Sequence, residues 1–172
     1  MTVDSSTQVL ALQTPDIPHI IRPVCRADSK ALRRNCWSHR SMTRTREQLK
    51  RITKTQSNHR GLGIVIEALH SPCIIAYGQI MMLTACYEIS DLIVAEAYRS
   101  QGIGTAMIQY LIGAFRYSPM RRIEIGVAAS NPRALALYQR LGFVEAYELE
   151  LNLGNGRETV IYLSLTLPDF DA

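Results

Sequence analysis

The run from Glu88 to Ala106 constrains the fold more than any other stretch of this chain. Ile89, Leu92, Ile93 and Val94 are bulky or β-branched and apolar, which predicts a β-strand. From Thr105 to Phe115 the apolar residues Ala106, Ile108, Leu111, Ile112 and Phe115 recur at helical spacing, which predicts a helix. Arg99-Ser100-Gln101-Gly102-Ile103-Gly104 joins the two, and its glycines remove side chains that would shield the backbone amides. Successive free N–H groups opening a helix bind an anion, through exposed donors and the positive end of the helix dipole. A strand, a phosphate cradle and a helix therefore follow one another in a single run. A dinucleotide fingerprint would need a third glycine where this chain has Met107. A P-loop would need Gly-Lys-Ser/Thr, and no lysine follows Lys54.

What remains is Arg-x-x-Gly-x-Gly-x-Ala after a strand ending in Val94. Downstream, Arg122 to Phe143 reads as a strand followed by Asn-x-x-Ala-x-x-x-Tyr-x-x-x-Gly-Phe, filled by Asn131, Ala134, Tyr138, Gly142 and Phe143. Both patterns, in this order and at this separation, resemble the two signatures of the GNAT superfamily of N-acetyltransferases. Its acyl-CoA loop has the pattern Gln/Arg-x-x-Gly-x-Gly/Ala. The resemblance is strongest over Cys73 to Leu151 and weak before it. It implies an α/β chain with a twisted mixed sheet of about seven strands and about four flanking helices, and acetyl-CoA as cosubstrate with no metal. It also implies direct attack of an amine on the thioester, without an acyl-enzyme.

The resemblance places site residues one by one. The backbone of Leu92, Ile93 and Val94 would pair with pantetheine as an added strand, where the family splays two parallel strands apart at a bulge. The amides of Ser100, Gln101, Gly102, Ile103, Gly104 and Thr105 would hold the pyrophosphate, with Arg99 adding charge. Asn131 matches a residue that hydrogen-bonds the cofactor, and Tyr138 matches the tyrosine that approaches the CoA sulfur. A phenol with a pKa near 10 suits a departing thiolate of comparable basicity. Read as residues alone, Leu92 to Val94 are core strand side chains, Tyr138 is a helix tyrosine packed on a sheet, and Asn131 is an N-cap before Pro132.

The base is open between three readings. Glu88 lies six residues before Val94, where the histone-acetylating branch of the family keeps its catalytic glutamate. Partial burial in a strand would raise its pKa towards the range of a general base. Glu124 on the neighbouring strand and a water relay are the alternatives. The bacterial ribosomal-protein acetyltransferases of the family place their base five residues before the asparagine. That position here is Gly126, which counts against that branch.

The rest of the chain reads around this core. Met1 to about Pro18 lacks any period and is expected as a loose leader, with residues 19–172 forming one acetyltransferase domain. His19 to Arg26 reads as a strand, then Asp28 as N-cap of a helix through Trp37, and Thr43 to Thr55 as a second helix striped by Leu49 and Ile52. Gly61 to Ala68 and Cys73 to Leu83 read as strands about a Ser71-Pro72 turn, and with Ala85 to Val94 they make an antiparallel meander. Arg122 to Ala128, Phe143 to Leu151 and Glu158 to Thr166 are further strands, with a helix at Arg133 to Leu141 and an Asn155-Gly156 hairpin turn.

The net charge is +4, and its distribution matters more than its sum. Arg22, Arg26, Lys30, Arg33, Arg34, Arg40, Arg44, Arg46, Lys50, Arg51, Lys54 and Arg60 fall in one segment opposed by Asp28 and Glu47. This basic 22–60 segment reads either as solvated helical faces or as a surface for an anionic partner. Nucleic acid is disfavoured, since Trp37 is the segment's single aromatic residue. No apolar run is long enough to span a bilayer and no secretory pattern opens the chain, so a cytoplasmic protein without a membrane partner is expected. Cys25, Cys36, Cys73 and Cys86 show no paired spacing and read as reduced, mostly buried thiols. The acceptor is a primary amine of unread identity, a homodimer is the assembly common among relatives, and a non-catalytic acyl-CoA-binding module is the alternative function.

Overall fold

Runs of β-branched and bulky apolar residues build the central strands of one seven-stranded mixed sheet, which is buried on both faces where helices cover it. A computed structural model describes residues 17–70, 73–152 and 156–168. The expected leader before Ile17, the Ser71-Pro72 turn and Asn155 of the hairpin turn lie outside the described residues. In chain order the elements are β1 (His19–Pro23), α1 (Ser29–Asn35), α2 (Met42–Ser57), β2 (Gly61–Ala68), β3 (Cys73–Met82), β4 (Tyr87–Val94), α3 (Ile103–Ala114), β5 (Arg122–Ala128), α4 (Pro132–Arg140), β6 (Val144–Asn152) and β7 (Arg157–Thr166). Short 3-10 turns at Arg26–Asp28 and Glu96–Tyr98 precede α1 and α3.

The sheet order is β1-β2-β3-β4-β5-β7-β6. Strands β1 to β4 form the expected antiparallel meander, and β4 and β5 are the parallel pair, joined by the α3 crossover. One core packs α3 and α4 against the sheet through Ile64, Ile66, Ile89, Ile108, Leu111, Ile125, Tyr138 and Phe143. A second core lies on the opposite face, where Leu32, Trp37, Leu49 and Ile52 of the α1–α2 region meet Val65, Ile74 and Tyr77. Because α1 and α2 pack on β3 and β2, that face of β5, β7 and β6 carries no helix among the described residues. No described helix is long and apolar enough to cross a membrane.

Three local expectations need correction. The first strand stops at Pro23 rather than Arg26, because the chain then tightens into the 3-10 turn. Asp28 holds the expected N-cap position of α1, but its side chain makes no capping bond; the carboxylate accepts the Cys25 N–H at 2.8 Å and pairs with Arg22 at 2.8 Å. The first helix ends at Asn35 rather than Trp37, since Cys36 and Trp37 both donate to the Leu32 carbonyl in a closing turn. That turn sets the Trp37 ring edge-on to Tyr77, with centroids 4.7 Å apart. Of the four free cysteines, Cys36 and Cys86 are buried, Cys73 is half-buried and Cys25 is exposed.

Candidate active site

The parallel pairing of β4 with β5 covers only Tyr87, Glu88 and Ile89 opposite Ile123, Glu124 and Ile125, and then the strands part. The cause lies on the other edge of β4. There β3 advances one residue, Gly78, while β4 advances two, Asp91 and Leu92, between the Gln79–Ser90 and Tyr77–Ile93 pairs. This is a β-bulge, which bends the strand that carries it. Asp91 takes φ of 53°, a left-handed conformation that aspartate tolerates better than most residues. A Cβ on Gly78 would lie 2.6 Å from Leu92 Cδ2 and 2.8 Å from Met107 Sδ, so the close approach admits only glycine without a shift.

Polar groups hold the bulge to α2. Gln48 Nε2 donates to Asp91 Oδ2 at 2.9 Å and to Gln79 Oε1 at 2.8 Å, and Arg40 Nη2 pairs with Asp91 Oδ1 at 3.2 Å. Gln79 in turn donates to Ser90 Oγ at 3.1 Å and accepts the Tyr77 hydroxyl at 2.7 Å. Beyond the bulge, Ala95 N–H donates to Ile75 O, so the neighbouring Val94 groups point to the parted side by strand alternation. Of the three strand residues nominated from sequence, Leu92 lines the resulting cleft, while the Ile93 and Val94 side chains pack in the two cores.

The cleft measures about 250 Å³ and is lined by Ser90, Asp91 and Leu92 of β4, the end of β5 from Ile125 to Ala128, and Asn131, Ala134 and Tyr138. Asn131 Oδ1 caps α4 by accepting the Ala134 N–H at 3.1 Å, and Pro132 follows at the first helical position. The Tyr138 hydroxyl has no partner among the described residues, although its ring is buried. Burial pushes its pKa up to about 12.

Beyond β4 and against α4, α3 opens on Gly102, whose φ of 77° turns the chain into the helix, and no side chain caps that end. The N–H groups of Ile103, Gly104 and Thr105 are the first of the helix and have no intrahelical acceptor. Ser100 also holds a positive φ, of 66°. Arg99 Nε donates to the Val94 carbonyl at 3.2 Å, and Gln101 Nε2 to the Ala97 carbonyl at 3.1 Å. Arg133 of α4 reaches across to Ser100 Oγ at 2.5 Å, a second cation on this loop that the sequence reading did not single out.

On the uncovered face of the sheet, Glu88 and Glu124 stand side by side at paired positions. Their flanking residues Tyr87, Ile89, Ile123 and Ile125 all point into the α3 core, so strand alternation turns both carboxylates the other way. Burial first, then the charges of Glu124 and Asp91, raises the Glu88 pKa. Glu124 is buried, ion-paired with Arg122, and accepts the Tyr147 hydroxyl at 2.9 Å. The Tyr147 and Tyr162 rings stack with centroids 4.9 Å apart and planes 9° from parallel. Tyr162 pairs with Gly126 in the β5–β7 ladder, and a Cβ at Gly126 would lie 3.2 Å from its ring. These tyrosines carry no motif, so no sequence signal marked them.

The Acetyltransferase (GNAT) family profile matches residues 24–143, more than half the chain. The chain belongs to this acetyltransferase family. Among curated relatives it is similar to the ribosomal protein bS18-alanine N-acetyltransferase of Escherichia coli (strain K12), at 31% identity over 96 residues. That match covers 48% of this chain and 64% of the relative, so the chain spans a little under two thirds of its length. Among solved structures, the ribosomal-protein-S18-alanine N-acetyltransferase from Escherichia coli superposes with a TM-score of 0.68 at 22% identity, covering 89% of this chain and 96% of that one. Spermidine N-acetyltransferase from Vibrio cholerae, in complex with CoA and spermine, gives 0.69 at 19% identity, covering 87% and 95%. Both likenesses are of fold.

Proposed function

We propose that this protein is an N-acetyltransferase that moves the acetyl group of acetyl-CoA to a primary amine within a ternary complex. One observation carries the reading: β4 and β5 part just beyond the Glu88–Glu124 and Ile89–Ile125 pairs, and Tyr138 lines the opened cleft with an unpartnered hydroxyl. The uncapped start of α3 follows β4, and Glu88 at the end of the paired stretch has a raised pKa. The pantetheine arm would pair with the free edge of β4 at Leu92 to Val94, and the pyrophosphate would take the amides of Ser100 to Thr105. Arg133, already on Ser100, would serve the phosphates as directly as Arg99. Solved neighbours include a spermidine N-acetyltransferase in complex with CoA, which supports the same cosubstrate here.

Glu88 would take a proton from the acceptor ammonium. The freed amine attacks the thioester carbonyl, the carbon–sulfur bond breaks, and the thiolate takes the Tyr138 proton. A phenol raised by burial is the weaker acid, but the same enclosure raises the basicity of the thiolate beside it, so the two stay matched. Glu124 is the poorer base, since Arg122 and Tyr147 already engage its carboxylate. Gly126 stands where the ribosomal-protein branch keeps its base, and a side chain there would press on the Tyr162 ring at 3.2 Å, so that arrangement is not available to this chain without a shift of the ring. The unengaged phenol favours an enzyme over a non-catalytic acyl-CoA-binding module, which needs the loop alone.

Calorimetric titration with acetyl-CoA, with NAD as control ligand, tests the reading. Micromolar binding of acetyl-CoA alone, followed by CoA release on adding amines, is the expected result. No binding at high micromolar concentration would remove the cosubstrate, the mechanism and the site together.

A further inference from the structure

Part of the basic 22–60 segment is gathered by the fold into a groove of about 540 Å³, lined by His39, Arg40, Arg44, Glu47, Gln48 and Arg51. Three guanidinium groups face one carboxylate there. Neither Arg44 nor Arg51 has a carboxylate partner among the described residues; Arg51 donates to Gln48 Oε1 at 3.1 Å. Arg22, by contrast, is consumed by Asp28 and Glu67. Arg40 is already held by Asp91, so it is Arg44 and Arg51, set against Glu47, that leave the groove a small net excess of positive charge, in a volume of small-ligand size.

Its position relates it to the chemistry. Arg40 and Gln48 line the groove and both bind Asp91, and Asp91 is itself a wall of the acyl cleft. One bulge residue thus separates the groove from the place where a thioester would emerge. On the same sheet face stand Glu88 and Glu124. The acceptor side is consequently polarised, with carboxylates where an ammonium would dock and guanidinium groups beyond.

From this polarity, and resting on the acetyltransferase reading above, we infer that the acceptor is a peptide whose terminal amine is followed within a few residues by acidic side chains. Such a ligand places its cation by Glu88 and its anions in the groove at once. A polyamine meets the carboxylates favourably but then lays its next ammonium against Arg44 and Arg51, where like charges repel. Nucleic acid fits poorly, because Trp37 is buried with its ring face under the Arg40 guanidinium at 4.6 Å, leaving no platform for a base.

The test is acetyl transfer to matched hexapeptides that begin Ala-Ala and carry Glu, Gln or Lys at the third and fourth positions. The Glu peptide should exceed the Lys peptide in kcat/KM by roughly tenfold at low salt, through KM rather than kcat, as two partly exposed ion pairs allow. The preference should shrink towards unity in the Arg44→Gln/Arg51→Gln variant and in 0.5 M NaCl, which screens exposed charges. A Lys peptide used as well as the Glu peptide, or a preference untouched by the double variant, would overturn the inference. Calorimetry with the N-acetylated Glu peptide reads the groove without turnover, so it separates this inference from the enzyme reading. Binding lost in the double variant is expected even if no amine is acetylated. Absent binding, or tighter binding of single-stranded oligothymidylate by the same arginines, would overturn it.

Discussion

Gly78→Ala tests the physical origin of the cleft. The added methyl lands 2.6 Å from Leu92 Cδ2 and 2.8 Å from Met107 Sδ. Leu92 is half-buried and can swing, but Met107 is only 1% exposed and is held in the core. Overpacking of this kind costs about 1–3 kcal/mol, and lost freedom of the unfolded chain returns about 0.4–1 kcal/mol. The net loss is about 1–2 kcal/mol, or a Tm lower by about 2–8 °C for a chain of this size. Relief comes mainly by driving Leu92 into the cleft it lines, so acetyl-CoA affinity should fall roughly tenfold, equivalent to about 1.4 kcal/mol. Thermal unfolding and calorimetry read the two effects separately. In a double-mutant cycle with Leu92→Ala, which removes the struck methyl, the two changes should couple by about 0.5 kcal/mol or more. Wild-type stability and affinity in Gly78→Ala, or strict additivity in the cycle, would refute the claim that this close contact shapes the cleft.

Other outcomes follow from the same geometry. Glu88→Gln should lose the acidic limb of the pH–rate profile, which in the wild type lies above the ordinary glutamate range because the Glu88 pKa is raised. The sign for stability is the reverse: the folded state binds this proton more tightly, so wild-type stability falls as pH rises from about 4.3 through the raised value. The Gln variant should lack that decline. Tyr138→Phe should lower kcat while leaving acetyl-CoA affinity unchanged in calorimetry; unaltered turnover would assign thiolate protonation to water. Gly104→Glu puts a carboxylate at the helix start, 3.5 Å from Leu137 at its first carbon, so the fold should survive in circular dichroism while acetyl-CoA binding is lost. Arg22→Ala strands the buried Asp28 carboxylate and should cost about 2 kcal/mol in urea unfolding at neutral pH. Burial alone would raise the Asp28 pKa, but Arg22 and the Cys25 N–H outweigh it and hold it low. That contribution is present above about pH 4 and disappears as pH falls through the lowered value.

The order of elements was legible in the sequence because hydrophobic period, glycine and proline act within a few residues. Gly61–Ala68 and Arg122–Ala128 are strands with the bounds that their patterns predict. The glycine loop, the helix start behind it and the Asn131 cap are equally local. The start of α1 behind Asp28 was legible too, but not the use of its side chain, whose carboxylate serves Arg22 and Cys25 instead of the helix.

What the sequence by itself determined, then, is a strand, an anion-ready turn and a helix, followed by a second strand and a capped helix bearing Tyr138, since each rests on neighbours along the chain. Only the tertiary structure decided which side of the parted strands Glu88 faces, that Tyr162 lies over Gly126, and that Arg133 meets Ser100. It also decided which arginines of a long basic segment are neutralised and which line a groove. Arg40 meets Asp91 across 51 residues of chain and Gln48 meets it across 43. No local propensity encodes such pairs; they follow from how a twisted sheet brings its bulge beneath the helices.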